Sequence, residues 1–114
     1  MDKITKEAII SSMKKKRELD LDSALEDIVN IPECNADKDK LEYSEDFFYQ
    51  VHHIRLEYYK KMDEPVKLTG MTEPYQNNIQ NLLELINIQN DINKEYRDKF
   101  DVEVFNIFIT KKCV

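Results

Sequence analysis

The sequence predicts a mainly α-helical protein, a small bundle of about four helices with a strand-like segment near the C-terminal end. Apolar side chains recur at three- and four-residue steps over most of the 114 residues, which is the period of an amphipathic helix. The chain has one glycine, Gly70, too few to build a glycine-rich phosphate-binding loop. Its length and formal net charge of -6 fit a single acidic helical domain over residues 1–114.

Two helices are predicted before residue 32. Thr5 caps the first, which runs to Arg17 or Leu19, and its narrow apolar stripe consists of Ile9, Ile10 and Met13. Ser23 and Glu26 have the spacing of a capping box, which predicts a second helix over 24–31. That helix should bury Leu25, Ile28, Val29 and Ile31 and end before Pro32. Residues 33–42 are polar and without period, so we expect a loop.

Two longer helices are predicted after this loop. Ser44 caps the third helix, over 45–63, in which apolar residues form a broad core face: Phe47, Val51, Ile54, Tyr58 and Met62. Thr72 caps the fourth, which extends to about Phe100 with Pro74 in its first turn. The many amide side chains between residues 76 and 93 are expected to form polar surface on this helix.

The segment 102–110 is rich in β-branched and aromatic residues, so its propensity predicts a strand. A lone strand leaves its backbone groups unpaired. Three arrangements are therefore open: a minor two-stranded ribbon with residues 66–69, a homodimer joined through residues 102–110, or a fifth helix capped by Asp101.

Acidic residues are concentrated in one part of the chain. Residues 1–17 carry six basic and two acidic side chains, whereas residues 18–46 carry two basic and eleven acidic ones. An acidic segment repels nucleic acid and lipid headgroups and attracts basic surfaces over roughly 8–10 Å. We expect a protein partner with a basic surface, and no direct contact with nucleic acid or membrane. The candidate steering residues are Asp20, Asp22, Asp27, Asp37 and Asp39. The basic run at 14–17 is expected to be a solvated face.

The third predicted helix offers side chains for a partner. Tyr49, His53 and Leu56 align on one side outside the core stripe, and His52 and Tyr59 lie on a further flank. Exposed aromatic and aliphatic groups rimmed by charge are enriched at protein interfaces. The alternative is that another element of the fold covers these side chains.

Catalytic and metal-binding patterns are weak. His52 and His53 point about 100° apart on a helix, and only His53 and Glu57 share a face. A transition-metal site needs more ligands at suitable spacing, so we expect no metal, no cofactor and no enzymatic activity. A small metal-dependent enzyme built on these three residues is kept as an alternative.

Cellular location is predicted from the cysteines and the hydropathy pattern. Cys34 and Cys113 are too few and too far apart for a disulfide framework, so we expect reduced thiols. The sequence has no apolar run near the roughly 20 residues that span a bilayer, and no hydrophobic signal segment. We therefore expect a cytoplasmic protein. The high content of Asn, Lys and Ile is typical of an AT-rich bacterial or viral genome.

These features favour a small inhibitor, antidote or immunity-type protein. Such a factor would occlude a basic, nucleic-acid-binding surface of its partner by placing carboxylates where phosphates would lie. A homodimerising structural or assembly subunit, joined through the C-terminal segment, is the alternative from another class.

Overall fold

The structure, a computed structural model, describes residues 2–36, 43–64 and 79–110. Four α-helices make up most of these residues. They are α1 (Lys3–Val29), α2 (Pro32–Ala36), α3 (Glu45–Met62) and α4 (Ile79–Thr110). No strand occurs in these three ranges. The prediction of a mainly helical bundle is confirmed.

The three long helices pack lengthwise, with α1 against both α3 and α4. Arg17 of α1 bonds Met62 near the end of α3, whereas Asp27 lies beside Tyr49 near its start, so α1 and α3 are antiparallel. Ile10 and Arg17 of α1 lie beside Ile88 and Asn93 of α4, so α1 and α4 are parallel. The resulting bundle is elongated, measuring 57 × 21 × 19 Å.

Helix α1 is one continuous helix, and the prediction of two helices was wrong. Asp2 caps it by accepting a 2.8 Å hydrogen bond from the Thr5 backbone, and this bond lowers the pKa of Asp2. Thr5 is therefore inside the helix, and so is Ser23. One buried stripe crosses the predicted break, consisting of Met13, Arg17, Leu21, Ala24 and Ile28. A buried arginine within this stripe hid its continuity.

The short helix α2 replaces the start of the predicted loop. Pro32 opens it, because proline fits the first helical turn, where a backbone N–H has no partner. Residues 37–42 of the predicted loop lie outside the described residues. Helix α2 matters because it carries Cys34, whose side chain is 1% exposed.

Helix α3 agrees with the prediction. Ser44 accepts a hydrogen bond from the Phe47 backbone at 3.1 Å, and Glu45 and Asp46 place negative charge in the first turn. The predicted core residues are buried apart from Ile54, which is half-buried. The predicted start of the fourth helix at Thr72 lies outside the described residues.

The segment 102–110 is helical, so the predicted strand and its ribbon with residues 66–69 were wrong. Helix α4 continues without interruption to Thr110, which also rules out a separate fifth helix starting at Asp101. Val104 is buried, and Ile107 and Phe108 pack against the core at the three- and four-residue spacing of a helix. Burial of this apolar face outweighs the β-propensity of the side chains.

Aromatic rings hold the end of the bundle where α3 begins and α4 ends. The Tyr43 ring stacks on Phe47 at a centroid distance of 4.3 Å, and Phe108 lies 5.9 Å from Phe47. Phe48 completes the cluster with an edge contact to Phe108 at 5.6 Å. Such pairs stabilise by roughly 0.5–1.5 kcal/mol beyond their buried area.

Cys34 is disulfide-bonded, which contradicts the predicted reduced thiol. The chain has one other cysteine, Cys113, which lies outside the described residues. Helix α2, which carries Cys34, and the end of α4 lie at the same end of the bundle. Glu33 of α2 accepts a hydrogen bond from Ser44, next to Tyr43, whose ring is 5.9 Å from Phe108.

Candidate functional site: a groove between α1 and α3

An open groove runs between α1 and α3 and consists of two adjoining cavities. The first, of about 260 Å³, is lined by Asp20, Ser23, Ala24, Asp27, His53, Ile54, Glu57, Tyr58 and Lys61. The second, of about 340 Å³, is lined by Asp27, Asn30, Ile31, Pro32, Tyr49, Gln50, His53 and Ile54. Because Asp27, His53 and Ile54 line both cavities, we treat them as one α1/α3 groove.

The periodicity of the two helices places polar side chains along this groove. Asp20 and Asp27 are seven residues apart, two helical turns, and flank the buried Ala24. His53, Glu57 and Lys61 follow one another at four-residue steps on α3. The groove therefore has an apolar floor and a charged rim.

The rim carries more negative than positive charge. Asp20, Asp27 and Glu57 face one lysine, Lys61, and the imidazole of His53. Within the described residues, none of these carboxylates or Lys61 forms an ion pair. The groove thus offers three carboxylates without cationic partners.

Asp20 is the most unusual of the three carboxylates. Its Oδ2 atom is buried and accepts no hydrogen bond in the structure. A buried carboxylate oxygen without a donor is costly, because it loses its hydration without replacement.

Burial also acts on the phenol at the floor of the groove. Tyr58 is 2% exposed, and its hydroxyl donates to the Arg17 carbonyl oxygen at 3.3 Å. Burial raises the pKa of Tyr58 well above its usual range, and the Arg17 charge opposes this shift only in part. Tyr58 is therefore a neutral hydrogen-bond donor over the physiological pH range.

The structure brings together four of the predicted partner-binding residues in the groove: Asp20, Asp27, Tyr49 and His53. The Tyr49 side chain is 72% exposed, and His53 is exposed as well. The alternative that another element covers these side chains is therefore wrong for Tyr49 and His53, whereas it holds for Tyr59, which is half-buried against α4.

The other predicted partner-binding residues lie away from the groove. Asp22 is on the α4 side of α1, where its charge acts on Tyr96. Leu56 is 51% exposed but lines neither groove cavity. Tyr59 faces α4, with its hydroxyl 3.4 Å from Asp101 Oδ1. Asp37 and Asp39 lie outside the described residues.

Two charged groove residues were not among the predicted partner-binding residues. Glu57 was considered as a possible metal ligand, and Lys61 was not considered at all. Their four-residue spacing from His53 is the signal that could have placed all three on one face.

The predicted metal-ligand residues do not form a cluster in the part of the chain that is described. No group of three or more His, Cys, Asp or Glu side chains that could hold a metal ion occurs there. His52 is exposed on α3 and lines neither groove cavity, whereas His53 and Glu57 both line the first one.

A third cavity, of about 350 Å³, lies between α1 and α4. Its lining has two lysines, Lys6 and Lys14, and two carboxylates, Glu84 and Asp91, around a floor of isoleucines. These charges balance, so this cavity lacks the negative excess of the α1/α3 groove.

Comparisons of the chain with protein families, curated proteins and solved structures give no match. In the described ranges, no helix is both long and apolar enough to cross a bilayer.

Proposed function

We propose that the protein binds a partner protein through the α1/α3 groove and occludes a basic surface of that partner, in the manner of an inhibitor, antidote or immunity-type factor. The observation that carries this proposal is the set of three carboxylates, Asp20, Asp27 and Glu57, which line an open groove without ion-pair partners. Their charges would steer a basic surface toward the groove. The exposed ring of Tyr49 would add contact area.

The test compares two variants of equal charge change as immobilised bait for a lysate of the native host. The groove variant combines Asp20→Asn, Asp27→Asn and Glu57→Gln. The control variant neutralises three exposed carboxylates elsewhere, namely Asp22, Glu26 and Glu103. We expect the unchanged protein and the control to retain the same basic protein, and the groove variant to lose it.

The captured protein is then assayed with and without the purified chain. If it binds nucleic acid, addition of the chain should displace the nucleic acid, and the groove variant should not. Equal capture by the groove and control variants would remove the groove from the mechanism, and capture of an acidic partner would refute the proposed charge complementarity.

Direct nucleic-acid binding is not part of this proposal. Lys14, Lys15 and Lys16 are exposed, but Arg17 is 4% exposed and bonds Asn93. The predicted run of four cations therefore presents three, and Lys16 already lies 3.6 Å from a carboxylate oxygen of Glu64. So small a patch on a net acidic chain would not overcome phosphate repulsion at physiological salt.

A cytoplasmic location has to be weighed against the disulfide at Cys34. Structural disulfides persist in oxidising compartments and are rare in a reducing cytoplasm. The disulfide thus favours an oxidising compartment, or secretion after folding. Cell fractionation with thiol labelling would decide between this interpretation and the predicted cytoplasmic location.

A homodimer through residues 102–110 is the second candidate function. Val102, Phe105 and Ile109 are 57%, 61% and 61% exposed and lie on one side of α4. Light scattering after gel filtration tests this candidate: Phe105→Asp should convert a dimer into a monomer, and Glu103→Gln should not. A monomer at every concentration of the unchanged protein would exclude the homodimer.

A further inference from the structure

We infer that two copies of the chain associate through α4, with their helices packed antiparallel across a two-fold axis; this inference rests on the homodimer proposed above as the second candidate function. The side of α4 away from the core carries a stripe of six exposed residues at alternating four- and three-residue steps. They are Asp91, Glu95, Asp98, Val102, Phe105 and Ile109. We call this the α4 outer stripe, and its first half is acidic whereas its second half is apolar.

The apolar half of the α4 outer stripe is a large surface. Phe48 of α3 adjoins it, because the Phe48 ring meets Phe108 edge-on at 5.6 Å and Phe108 lies about one turn from Phe105 on α4. The side chains of Phe48, Val102, Phe105 and Ile109 are 48%, 57%, 61% and 61% exposed. At roughly 150–250 Å² for a fully exposed aromatic side chain, and less for an aliphatic one, these four present about 400 Å² of apolar area.

Two copies of this surface supply the area that a specific interface needs. Packed together, they would remove about 800 Å² of apolar surface from water, and specific interfaces are about 57% apolar. The whole interface would then measure about 1,400 Å², which lies within the roughly 1,200–2,000 Å² of stable protein complexes.

The order of side chains in the apolar half is self-complementary. Val102 and Ile109, both aliphatic, lie on either side of the aromatic Phe105. A two-fold axis midway between Val102 and Ile109 would bring each against the other residue of the second copy, and the two Phe105 rings would meet near the axis. The three- and four-residue steps are those of a coiled-coil seam.

The acidic half of the stripe sets the direction of the second helix. In a parallel pair, Asp98 of one copy would face Asp98 of the other at the next step of the seam, and like charges there repel. In the antiparallel pair these two residues are about 22 Å apart along the helix axes, beyond the Debye length of roughly 8–10 Å. In the sequence, Lys111 and Lys112 follow the stripe, so opposite directions match acidic positions with basic ones.

The test measures both the oligomeric state and the direction of the helices. Light scattering after gel filtration should give a dimer mass for the unchanged protein and a monomer mass for Phe105→Asp, which alters an exposed side chain and should keep its helical circular dichroism. Val102→Cys protein is then mixed with Ile109→Cys protein under a mild oxidant, with the disulfide at Cys34 kept. The antiparallel pair predicts a cross-linked dimer on a non-reducing gel from the mixture and none from either variant alone.

The controls separate this inference from the proposed homodimer. Glu103→Cys is exposed on α4 outside the stripe, so its mixture with Ile109→Cys should not cross-link. If Phe105→Asp abolishes a dimer but Val102→Cys cross-links alone, or the two mixtures behave alike, the antiparallel inference is wrong and the homodimer stands. A monomer at every concentration, or a dimer that Phe105→Asp leaves intact, would refute both.

Discussion

Arg17 and Asp20 lie one turn apart on α1, yet the fold treats these two charged side chains in opposite ways. Arg17 Nε donates to Asn93 Oδ1 at 2.8 Å, and its Nη2 donates to the Met62 carbonyl oxygen at 3.1 Å. The inner oxygen of Asp20 has no donor. Arg17 is therefore a structural residue, whereas Asp20 has a buried oxygen that the fold leaves without a donor.

The Arg17 side chain belongs to a hydrogen-bonded network at the end of α3. The Met62 carbonyl is among the last of α3 and has no partner within the helix. It accepts from Arg17, from Asn93 at 3.0 Å and from Gln89 at 2.9 Å. A cation at the negative end of a helix is also favourable, which explains how Arg17 is buried without a carboxylate.

The largest loss of stability is expected from removal of the disulfide at Cys34, because a covalent link stabilises the bundle independently of the Arg17 network. Reduction, or Cys34→Ser, should lower the free energy of unfolding by about 2–5 kcal/mol. Urea unfolding with and without reductant measures this. The Cys34→Ser variant is the control, since its stability should not respond to reductant. No response of the unchanged protein would mean that the link contributes little to folding.

Arg17→Ala should have the next largest effect, a loss of about 2–4 kcal/mol. The substitution removes two hydrogen bonds and leaves the buried Asn93 oxygen without its donor. Lys16→Ala is the matched control and should cost less than about 0.5 kcal/mol, because its ion pair with Glu64 is exposed. Equal urea midpoints for the two variants would contradict the structural role of Arg17.

Alkaline pH should lower the free energy of unfolding, because it titrates two buried tyrosines. Burial raises the pKa of Tyr58. Burial, the larger cause, and the hydrogen bond to Glu18, the smaller one, together raise the pKa of Tyr96 to about 12. Their unfolded pKa is about 10, so above pH 10 the unfolded chain releases protons that the folded chain keeps. Stability is then full below pH 10 and falls by roughly 1.4 kcal/mol per pH unit for each tyrosine up to about pH 12.

Urea midpoints between pH 9 and pH 11.5 measure this loss. Tyr96→Phe should flatten the pH dependence, since it removes one of the buried phenols. Tyr49→Phe should leave it unchanged, because the Tyr49 side chain is 72% exposed. The same slope in all three proteins would show that the phenols are not the cause.

Much of the fold could be predicted from the sequence where apolar periodicity was uninterrupted. Helix α3 has apolar side chains at every core position and Ser44 at its cap, and its bounds agree with the structure. In α1 the charged Arg17 occupies a core position, so one stripe looked like two. In α4 the β-branched tail suggested a strand, because propensity does not include the partners that bury Val104 and Phe108.

The candidate site could be predicted less well, because it depends on two helices at once. Periodicity placed Tyr49 and His53 on one side of α3, but nothing in the sequence pairs that side with Asp20 and Asp27 of α1. The roles of Asn93 and Gln89 were missed for the same reason, since an amide that bonds a distant carbonyl looks like any polar surface residue.

Asp20→Asn should have the smallest effect on stability. It is also the variant that tests the contrast with Arg17 most directly. This change keeps the shape of the side chain and removes a charge whose inner oxygen has no donor. The free energy of unfolding should stay the same or rise by up to about 1 kcal/mol, because the buried position without a donor then holds a neutral amide atom, which costs less to desolvate than a charged oxygen. Urea unfolding at pH 7 measures it, with Asp22→Asn as the exposed control. A loss as large as that of Arg17→Ala would mean that Asp20 belongs to the structural network, and the contrast between the two residues would be wrong.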